Sequence, residues 1–228
     1  MPTILLVRHA QASFGAADYD VLSELGVAQV RALVAGLERR GITADRVVSG
    51  SLRRQLDTAG PCAAAAAVEV EIDPRLNEYD DADVIEHHSS SNVRLERGPG
   101  DDAPPISSRE FQDILDGALR AWVAAGGSGP ARTPWPAFLE AATGAVRDLA
   151  GSLGRGETAI AVTSGGVLGA LCATLIGLAP ESFVAFNHVS VNAAMTKVVV
   201  GRGGTTLVTF NDHAHLEEAG DSSLITYR

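Results

Sequence analysis

Residues 3–10 read TILLVRHA, and this stretch decides how the chain folds. Its first five residues form an unbroken apolar run rich in branched side chains, which is typical of a strand covered on both faces. Arg8 and His9 follow directly, so two polar side chains stand where the strand ends. In open α/β sheets, ligands bind outside the carboxyl ends of the strands. The stretch therefore predicts a buried strand that delivers Arg8 and His9 to a binding site.

The segments that follow alternate between helical and strand patterns. Apolar residues recur with the helical period from Ser23 to the glycine at position 41, and residues 46–49 (RVVS) indicate a second buried strand. A second helix is predicted over residues 52–66 and a third strand over residues 68–72. Strand and helix alternation of this kind is the signature of a parallel α/β sheet.

The second half of the chain first interrupts this pattern and then resumes it. Residues 80–105 are acidic and then rich in Ser, Gly and Pro, which predicts a long irregular excursion. Helices are predicted to begin at Ser107 and near Pro136. A further strand, helix and two strands are predicted over residues 158–163, 166–176, 191–200 and 205–210.

The pattern as a whole predicts an α/β fold: a three-layer sandwich with a mostly parallel central sheet and helices on both faces. We expect residues 1–228 to form a single domain with a helical cap insertion at about residues 80–135, beside the carboxyl edge of the sheet. We also considered residues 191–200 as an edge strand through which a homodimer would form.

Composition excludes several classes of protein. With 46% hydrophobic residues among 228, the chain has enough apolar material for a folded core. Its net charge of −10 argues against general binding to nucleic acid or to a membrane, although a local arginine cluster still attracts an anion at contact distance. No secretory leader or membrane-length apolar run is visible. We therefore predict a cytoplasmic protein whose partner is a small molecule.

Five short motifs follow one another in order along the chain. They are LLVRHA at residues 5–10, DVLSELG at 20–26 followed by Gln29, SGSLRRQLDTA at 49–59, RLNE at 75–78 and NDHAHL at 211–216. Together they span nearly the whole sequence, and they resemble the motifs of the histidine phosphatase superfamily, also called phosphoglycerate mutase-like. The resemblance implies that fold, and it implies chemistry that needs no metal and no cofactor.

The resemblance also implies roles for particular residues. His9 matches the position that becomes phosphorylated, and Arg8 matches the adjacent phosphate-binding position. In the third motif, an arginine four residues before Thr58 selects Arg54 rather than Arg53. Glu78 matches the usual proton donor. These residue types suit phosphoryl transfer, because guanidinium groups bind phosphate oxygens, imidazole attacks phosphorus and a carboxylic acid protonates the leaving oxygen.

One motif departs from the family pattern. The family usually has S-H-G-G after the later strand, whereas residues 163–166 of this chain read TSGG. Ser164 can hydrogen-bond a phosphate oxygen but carries no positive charge, and loss of one preorganised group costs about 10²–10³ in rate. We predict that Ser164, together with the backbone N–H groups of Gly165 and Gly166 at a helix start, contacts the substrate.

The sequence therefore predicts a phosphomonoester hydrolase that acts through a phosphohistidine on a small phosphorylated molecule. Two alternatives stand beside it. A phosphoglycerate mutase shares the first half-reaction, but the acidic excursion after Glu78 favours hydrolysis. The second alternative is a weakly active or non-catalytic module that binds a phosphorylated ligand, and Ser164 is the feature that motivates it.

Overall fold

A computed structural model describes residues 1–13, 20–89 and 107–227. Six strands form one sheet in these residues: β1 (Thr3–Arg8), β2 (Arg46–Ser49), β3 (Val70–Ile72), β4 (Thr158–Thr163), β5 (Met195–Gly201) and β6 (Gly204–Asp212). The strand order is β3-β2-β4-β1-β5-β6. The first four of these strands run parallel, and β5 is antiparallel to both of its neighbours.

The register of the parallel strands sets the geometry of the binding edge. Arg8 at the end of β1 lies opposite Thr163 at the end of β4. On the other side of β4, Ser49 of β2 pairs with Val162. The residues that follow these strand ends therefore leave the sheet side by side at one edge, about one strand spacing apart.

Eight α-helices occur in the described residues. They are α1 (Glu24–Arg39), α2 (Arg53–Ala66), α3 (Asp81–His88), α4 (Ser108–Ala125), α5 (Trp135–Ser152), α6 (Gly165–Leu175), α7 (Phe183–Val189) and α8 (Ala214–Glu217). Local sequence explains several of the starts. The Ser23 hydroxyl accepts from the Gly26 N–H at the start of α1, and Ser107 and Glu110 form a capping box at the start of α4.

Helices cover both faces of the sheet. On one face, Leu5 and Val7 of β1 pack in one cluster with Leu33 of α1 and Cys62 of α2. Successive strand residues point to opposite faces, so their neighbours on the strands face the other way. On that second face a cavity is lined by strand and α5 residues together: Val48, Ala161, Ala145, Val146 and Leu149. The predicted three-layer α/β architecture with a mostly parallel sheet is confirmed.

Three local predictions need correction. The irregular excursion begins with a helix, α3, because the Asp80 carboxylate accepts from the Asp83 N–H and Val84 and Ile85 are buried; residues 90–106 lie outside the described part. The helix α7 was not predicted, since seven residues are too few to display a helical period. The strand predicted over residues 191–200 begins only at Met195.

The position of β5 also overturns the idea of an edge strand. It lies between β1 and β6 and pairs with both. The residues that precede it turn rather than extend, because Ala193 has φ of 59° and donates its N–H to Arg8 O at 3.1 Å. The homodimer stays a prediction, but β5 cannot supply the edge through which it would form.

The described residues divide into two compact units. One combines Met1–Glu78 with Ala141–Arg228 and contains the whole sheet; the other is Tyr79–Glu140. The second unit has its own aromatic core, in which the Trp122 ring lies 5.2 Å from that of Trp135 and 5.4 Å from that of Phe138. The expectation of a single domain with a cap insertion stays a prediction. Within the described residues, no helix has both the length and the apolar character that crossing a membrane requires.

Candidate functional site

The backbone of His9 is held on both sides as the chain leaves β1. Its N–H donates to Thr163 O at 2.8 Å, and its carbonyl accepts from the Asn192 side-chain amide at 3.1 Å. Asn192 lies in the turn before β5 and is fully buried. The position of His9 is therefore fixed by β4 on one side and by the turn before β5 on the other.

The two ring nitrogens of His9 have partners that settle its tautomer. Nδ1 lies 2.8 Å from Ala10 O, and a carbonyl oxygen can only accept, so Nδ1 carries the proton. Nε2 lies 3.2 Å from Nε of Arg54, which can only donate, so Nε2 presents its lone pair. The imidazole is thus a neutral base with an unprotonated nitrogen directed at a guanidinium group.

Electrostatics reinforce the neutral state of His9. The residue is only 6% exposed, and this burial is the main reason why its pKa lies well below the usual 6.5. The positive charges of Arg8 and Arg54 lower the pKa further, whereas the bond to Ala10 O opposes the shift. At neutral pH the ring is therefore uncharged, and the lone pair of Nε2 accepts from Arg54.

The carboxylate of Asp20 orients Arg54. In the sequence, Asp20 stood out only as the first residue of the DVLSELG motif. One terminal nitrogen of Arg54 donates to Oδ1 of Asp20 at 2.5 Å, and the other carboxylate oxygen accepts from the Arg53 backbone N–H at 2.7 Å. The N-cap position of α2 is Leu52, which has no capping side chain of its own. Asp20, although distant in sequence, therefore caps the start of α2, and it also directs Arg54 towards His9.

Arg8 is buried beside the start of α6. Its terminal nitrogen Nη1 donates to Ser190 O and, at 3.0 Å, to Tyr227 O. A Cβ atom built on Gly165 would lie 3.4 Å from Nε of Arg8 and would collide with the side-chain oxygen of Asn187. Gly165 thus lets the guanidinium group and Asn187 approach the helix start closely.

Ser164 is the N-cap residue of α6 and is fully buried, yet its side chain makes no capping bond. Its Oγ instead receives a hydrogen bond of 2.9 Å from Nε2 of Gln55. Glu78 reaches the same helix, where its carboxylate accepts from the Gly166 N–H at 3.0 Å. The structure thus brings Ser164 and Glu78 to the start of α6. The Gly166 N–H, which the sequence predicted to face phosphate, is bonded to Glu78 instead.

These contacts define the His9 site, by which we mean Arg8, His9, Arg54, Glu78, Ser164 and Gly165. All of them belong to the sheet-containing unit; five come from strand ends or helix starts, and Glu78 comes from the segment that follows β3. The arrangement combines a neutral imidazole, two guanidinium groups and a carboxyl group, which can bind an anion and exchange protons with it. Whether each residue acts as predicted stays a hypothesis.

Several residues around the site were not singled out from the sequence. They are Asp20, Gln55, Asn187 and Asn192. Each is an ordinary polar residue whose contact partner is distant in the chain, such as Asp20 with Arg54 or Gln55 with Ser164. Two of the four lie in the quoted motifs, Asp20 in DVLSELG and Gln55 in SGSLRRQLDTA, but neither was given a role from the sequence. Among the residues that the structure describes, no group of three or more metal-ligating side chains converges.

Fold and site together define an α/β sandwich with a histidine and arginine site at the carboxyl edge of its parallel strands. The chain belongs to the histidine phosphatase superfamily, since the sequence model of its branch 1 matches residues 4–123 and 106–213. Among curated proteins, no relative matches.

Solved structures share the fold. The native mycobacterial glucosyl-3-phosphoglycerate phosphatase is 22% identical with a TM-score of 0.64, over 92% of this chain and 98% of that one. A phosphoserine phosphatase mutant (H9A) from Entamoeba histolytica, in complex with phosphoserine, is 18% identical with a TM-score of 0.63, over 95% of this chain and all of that one. Bacillus stearothermophilus YhfR is 18% identical with a TM-score of 0.67, over 95% and 100% of the chains. At these identities the similarity establishes the fold.

Proposed function

We propose that this protein is a phosphomonoester hydrolase that acts on a small phosphorylated molecule through a phosphohistidine at His9. The observation that carries the proposal is the state of the His9 ring, whose unprotonated Nε2 lies 3.2 Å from the guanidinium Nε of Arg54. A lone pair beside a phosphate-binding group is what attack on phosphorus requires. Membership in the histidine phosphatase superfamily supports the same reaction.

In the first half-reaction, the Nε2 lone pair of His9 forms a bond to phosphorus while the bond between phosphorus and the ester oxygen breaks. Arg8 and Arg54 bind the phosphoryl oxygens and neutralise the charge that develops on them. Glu78, as a carboxylic acid, gives its proton to the leaving oxygen, so the alcohol departs neutral. Nδ1 keeps its proton throughout and donates it in the hydrogen bond to Ala10 O, which holds the ring in place.

In the second half-reaction, the Glu78 carboxylate takes a proton from water, and the water oxygen attacks phosphorus. The bond from Nε2 to phosphorus breaks, inorganic phosphate leaves, and His9 regains its lone pair. Ser164 supplies a neutral hydrogen bond where a charged group would stabilise the transferring phosphoryl more strongly, so we propose a turnover that is slow for this class of enzyme.

Hydrolysis of para-nitrophenyl phosphate by the wild type and by His9→Ala tests the proposal. We expect hydrolysis by the wild type and loss of nearly all of it in the variant, together with acid-labile phosphate on the wild type after rapid quenching. Hydrolysis that survives His9→Ala would contradict the phosphohistidine. Efficient isomerisation of 3-phosphoglycerate in the presence of a 2,3-bisphosphate primer would instead favour the mutase reaction.

A further inference from the structure

Gln55 has a buried side chain whose three hydrogen bonds fix its orientation. Its Nε2 donates to Leu76 O at 3.0 Å and to Ser164 Oγ at 2.9 Å, and its Oε1 accepts from the Leu52 N–H at 3.3 Å. Leu76 O can only accept and the Leu52 N–H can only donate, so the amide cannot be reversed. Gln55 is fully buried, and a Cβ atom at Gly50 would collide with its Oε1.

This fixed amide decides which way the Ser164 hydroxyl works. Because Nε2 is a donor, Ser164 Oγ must accept from it, and the hydroxyl proton must point elsewhere. Ser164 Oγ makes no capping bond to α6, and its one hydrogen bond among the described residues is the one that it accepts from Gln55, so no contact there gives its proton an acceptor. Ser164 is therefore held as a buried hydrogen-bond donor without a protein acceptor in that part of the chain.

The place of this donor is set by the sheet. Thr163 at the end of β4 lies opposite Arg8 at the end of β1, and the His9 N–H donates to Thr163 O at 2.8 Å. The residues that follow, Ser164 and His9, thus stand next to each other at the ends of adjacent parallel strands. An anion on His9 is the acceptor that this geometry offers to the Ser164 hydroxyl.

Resting on the proposed function, we propose that Gln55 is a positioning residue, which fixes the Ser164 hydroxyl as a neutral hydrogen-bond donor to the phosphoryl group transferred to His9. The pair of Gln55 and Ser164 then takes the place that a cationic side chain fills in a more strongly charged phosphate site. Gln55 itself does not touch the substrate, and its effect passes through Ser164.

A double-mutant cycle tests this coupling. Ser164→Ala is expected to lower kcat/KM by about 10- to 100-fold, because it removes a hydrogen bond to a charged group. Gln55→Met keeps the volume but removes the donor, and we expect a loss of about 10-fold. If Gln55 acts through Ser164, the double variant is no slower than Ser164→Ala. Losses that multiply would overturn the inference.

Gln29 offers a matched control for the structural cost of such a change. It is also fully buried, and its amide likewise bonds a backbone carbonyl, a hydroxyl and a backbone N–H: Leu224 O, Thr226 Oγ1 and Gln11 N. Gln29→Met should lower the melting temperature much as Gln55→Met does. Its effect on kcat/KM, whatever its size, should multiply with that of Ser164→Ala. Non-multiplicative behaviour of Gln29→Met as well would overturn the inference, because it would reflect general destabilisation.

A third variant reverses the polarity of the interaction. In Gln55→Glu an ionised carboxylate can only accept, so it captures the Ser164 proton; a protonated carboxyl can donate again. The deficit of this variant relative to wild type should therefore shrink as the pH falls, which a purely structural defect does not predict. A deficit that is constant with pH would count against the inference.

The same cycle is run on the affinity for inorganic phosphate by calorimetry, so that the two proposals fail separately. His9-dependent hydrolysis with multiplying Gln55 and Ser164 effects leaves the hydrolase standing and removes the positioning role. If the protein binds phosphate without hydrolysing the ester, and the Gln55 and Ser164 substitutions affect that binding non-multiplicatively, the proposed hydrolase activity is wrong and the positioning role of Gln55 stands. If the protein neither binds phosphate nor hydrolyses the ester, both proposals are wrong.

Discussion

Nε of Arg54 donates to Nε2 of His9 across 3.2 Å. The contact is possible only while Nε2 is unprotonated, so it ties the position of a cation to the charge state of its neighbour. A ligand oxygen that takes over the Arg54 N–H releases the His9 lone pair at the same moment. The resting structure thus holds the imidazole in the form that the proposed reaction needs.

The first prediction concerns the pH dependence of hydrolysis. Burial, with the charges of Arg8 and Arg54, lowers the pKa of His9 well below 6.5, so the ring stays neutral as the pH falls through that value. We expect kcat/KM of the wild type not to decline between pH 7 and pH 6. The measurement is initial-rate kinetics on para-nitrophenyl phosphate at constant ionic strength. A loss of activity centred near pH 6.5 would show that His9 titrates as an ordinary histidine.

The second prediction separates two tasks of Asp20, which caps α2 and holds Arg54. Asp20→Asn keeps an acceptor for the Arg53 N–H but removes the charge, whereas Asp20→Ala removes both. We expect Asp20→Asn to lower kcat about 10-fold without raising KM, because Arg54 loses its orientation while a carboxylate that repels an anionic substrate disappears. Asp20→Ala should in addition lose about 1 kcal/mol of stability. Steady-state kinetics and urea unfolding measure the two effects, and a raised KM in Asp20→Asn would contradict this assignment.

The third prediction follows from the packing of Ser164 against Gln55. Ser164 is fully buried and lies 2.9 Å from Nε2 of Gln55, so the room that an imidazole needs is taken. Ser164→His alone should cost about 1–3 kcal/mol by overpacking. Adding Gln55→Ala makes room for the ring, so the double variant should lose less stability than the two single losses added together. Its kcat should exceed that of the wild type, since a cation then faces the phosphoryl group. Thermal unfolding and kinetics of the single and double variants check this; a stable, fast single variant would show that the space is free.

The fourth prediction concerns acid stability and a histidine outside the site. His215 is fully buried, and burial, with the nearby charge of Arg40, lowers its pKa to about 4. Because the unfolded chain binds the proton near pH 6.5 and the folded chain does so only near 4, the stabilisation is complete above pH 6.5. It is lost as the pH falls to 4, by about 3 kcal/mol in total.

Denaturant unfolding at several pH values measures this loss. His215→Leu should flatten the decline of the unfolding free energy between pH 6.5 and pH 4. The partly exposed neighbour His213 provides the control, since His213→Gln should leave the decline in place. An unchanged slope in His215→Leu would mean that other groups cause the acid sensitivity.

The sequence determined the sheet and the candidate residues by itself, for a local reason. The apolar run of β1, the capping serine of α1 and the motifs at the strand ends each encode their information within a few neighbouring residues. Because the carboxyl ends of parallel strands meet at one edge, the order of elements was enough to predict that Arg8, His9, Arg54 and Ser164 approach one another. The short helices α3 and α7 were not predicted, because segments of eight and seven residues contain only about two turns of a 3.6-residue period.

Only the tertiary structure decided the state of those residues. The tautomer and low pKa of His9 depend on Ala10 O, on Arg54 and on burial, and the orientation of Arg54 depends on a carboxylate 34 positions away in the chain. The direction of the Ser164 hydroxyl depends on Gln55, 109 positions away. A hydrogen bond assigns donor and acceptor only between atoms that are brought within about 3 Å, and a sequence lists residue types without these distances. The sequence therefore identified the candidate site residues, whereas the fold decided the charge state of His9 and the direction of the Ser164 hydroxyl proton.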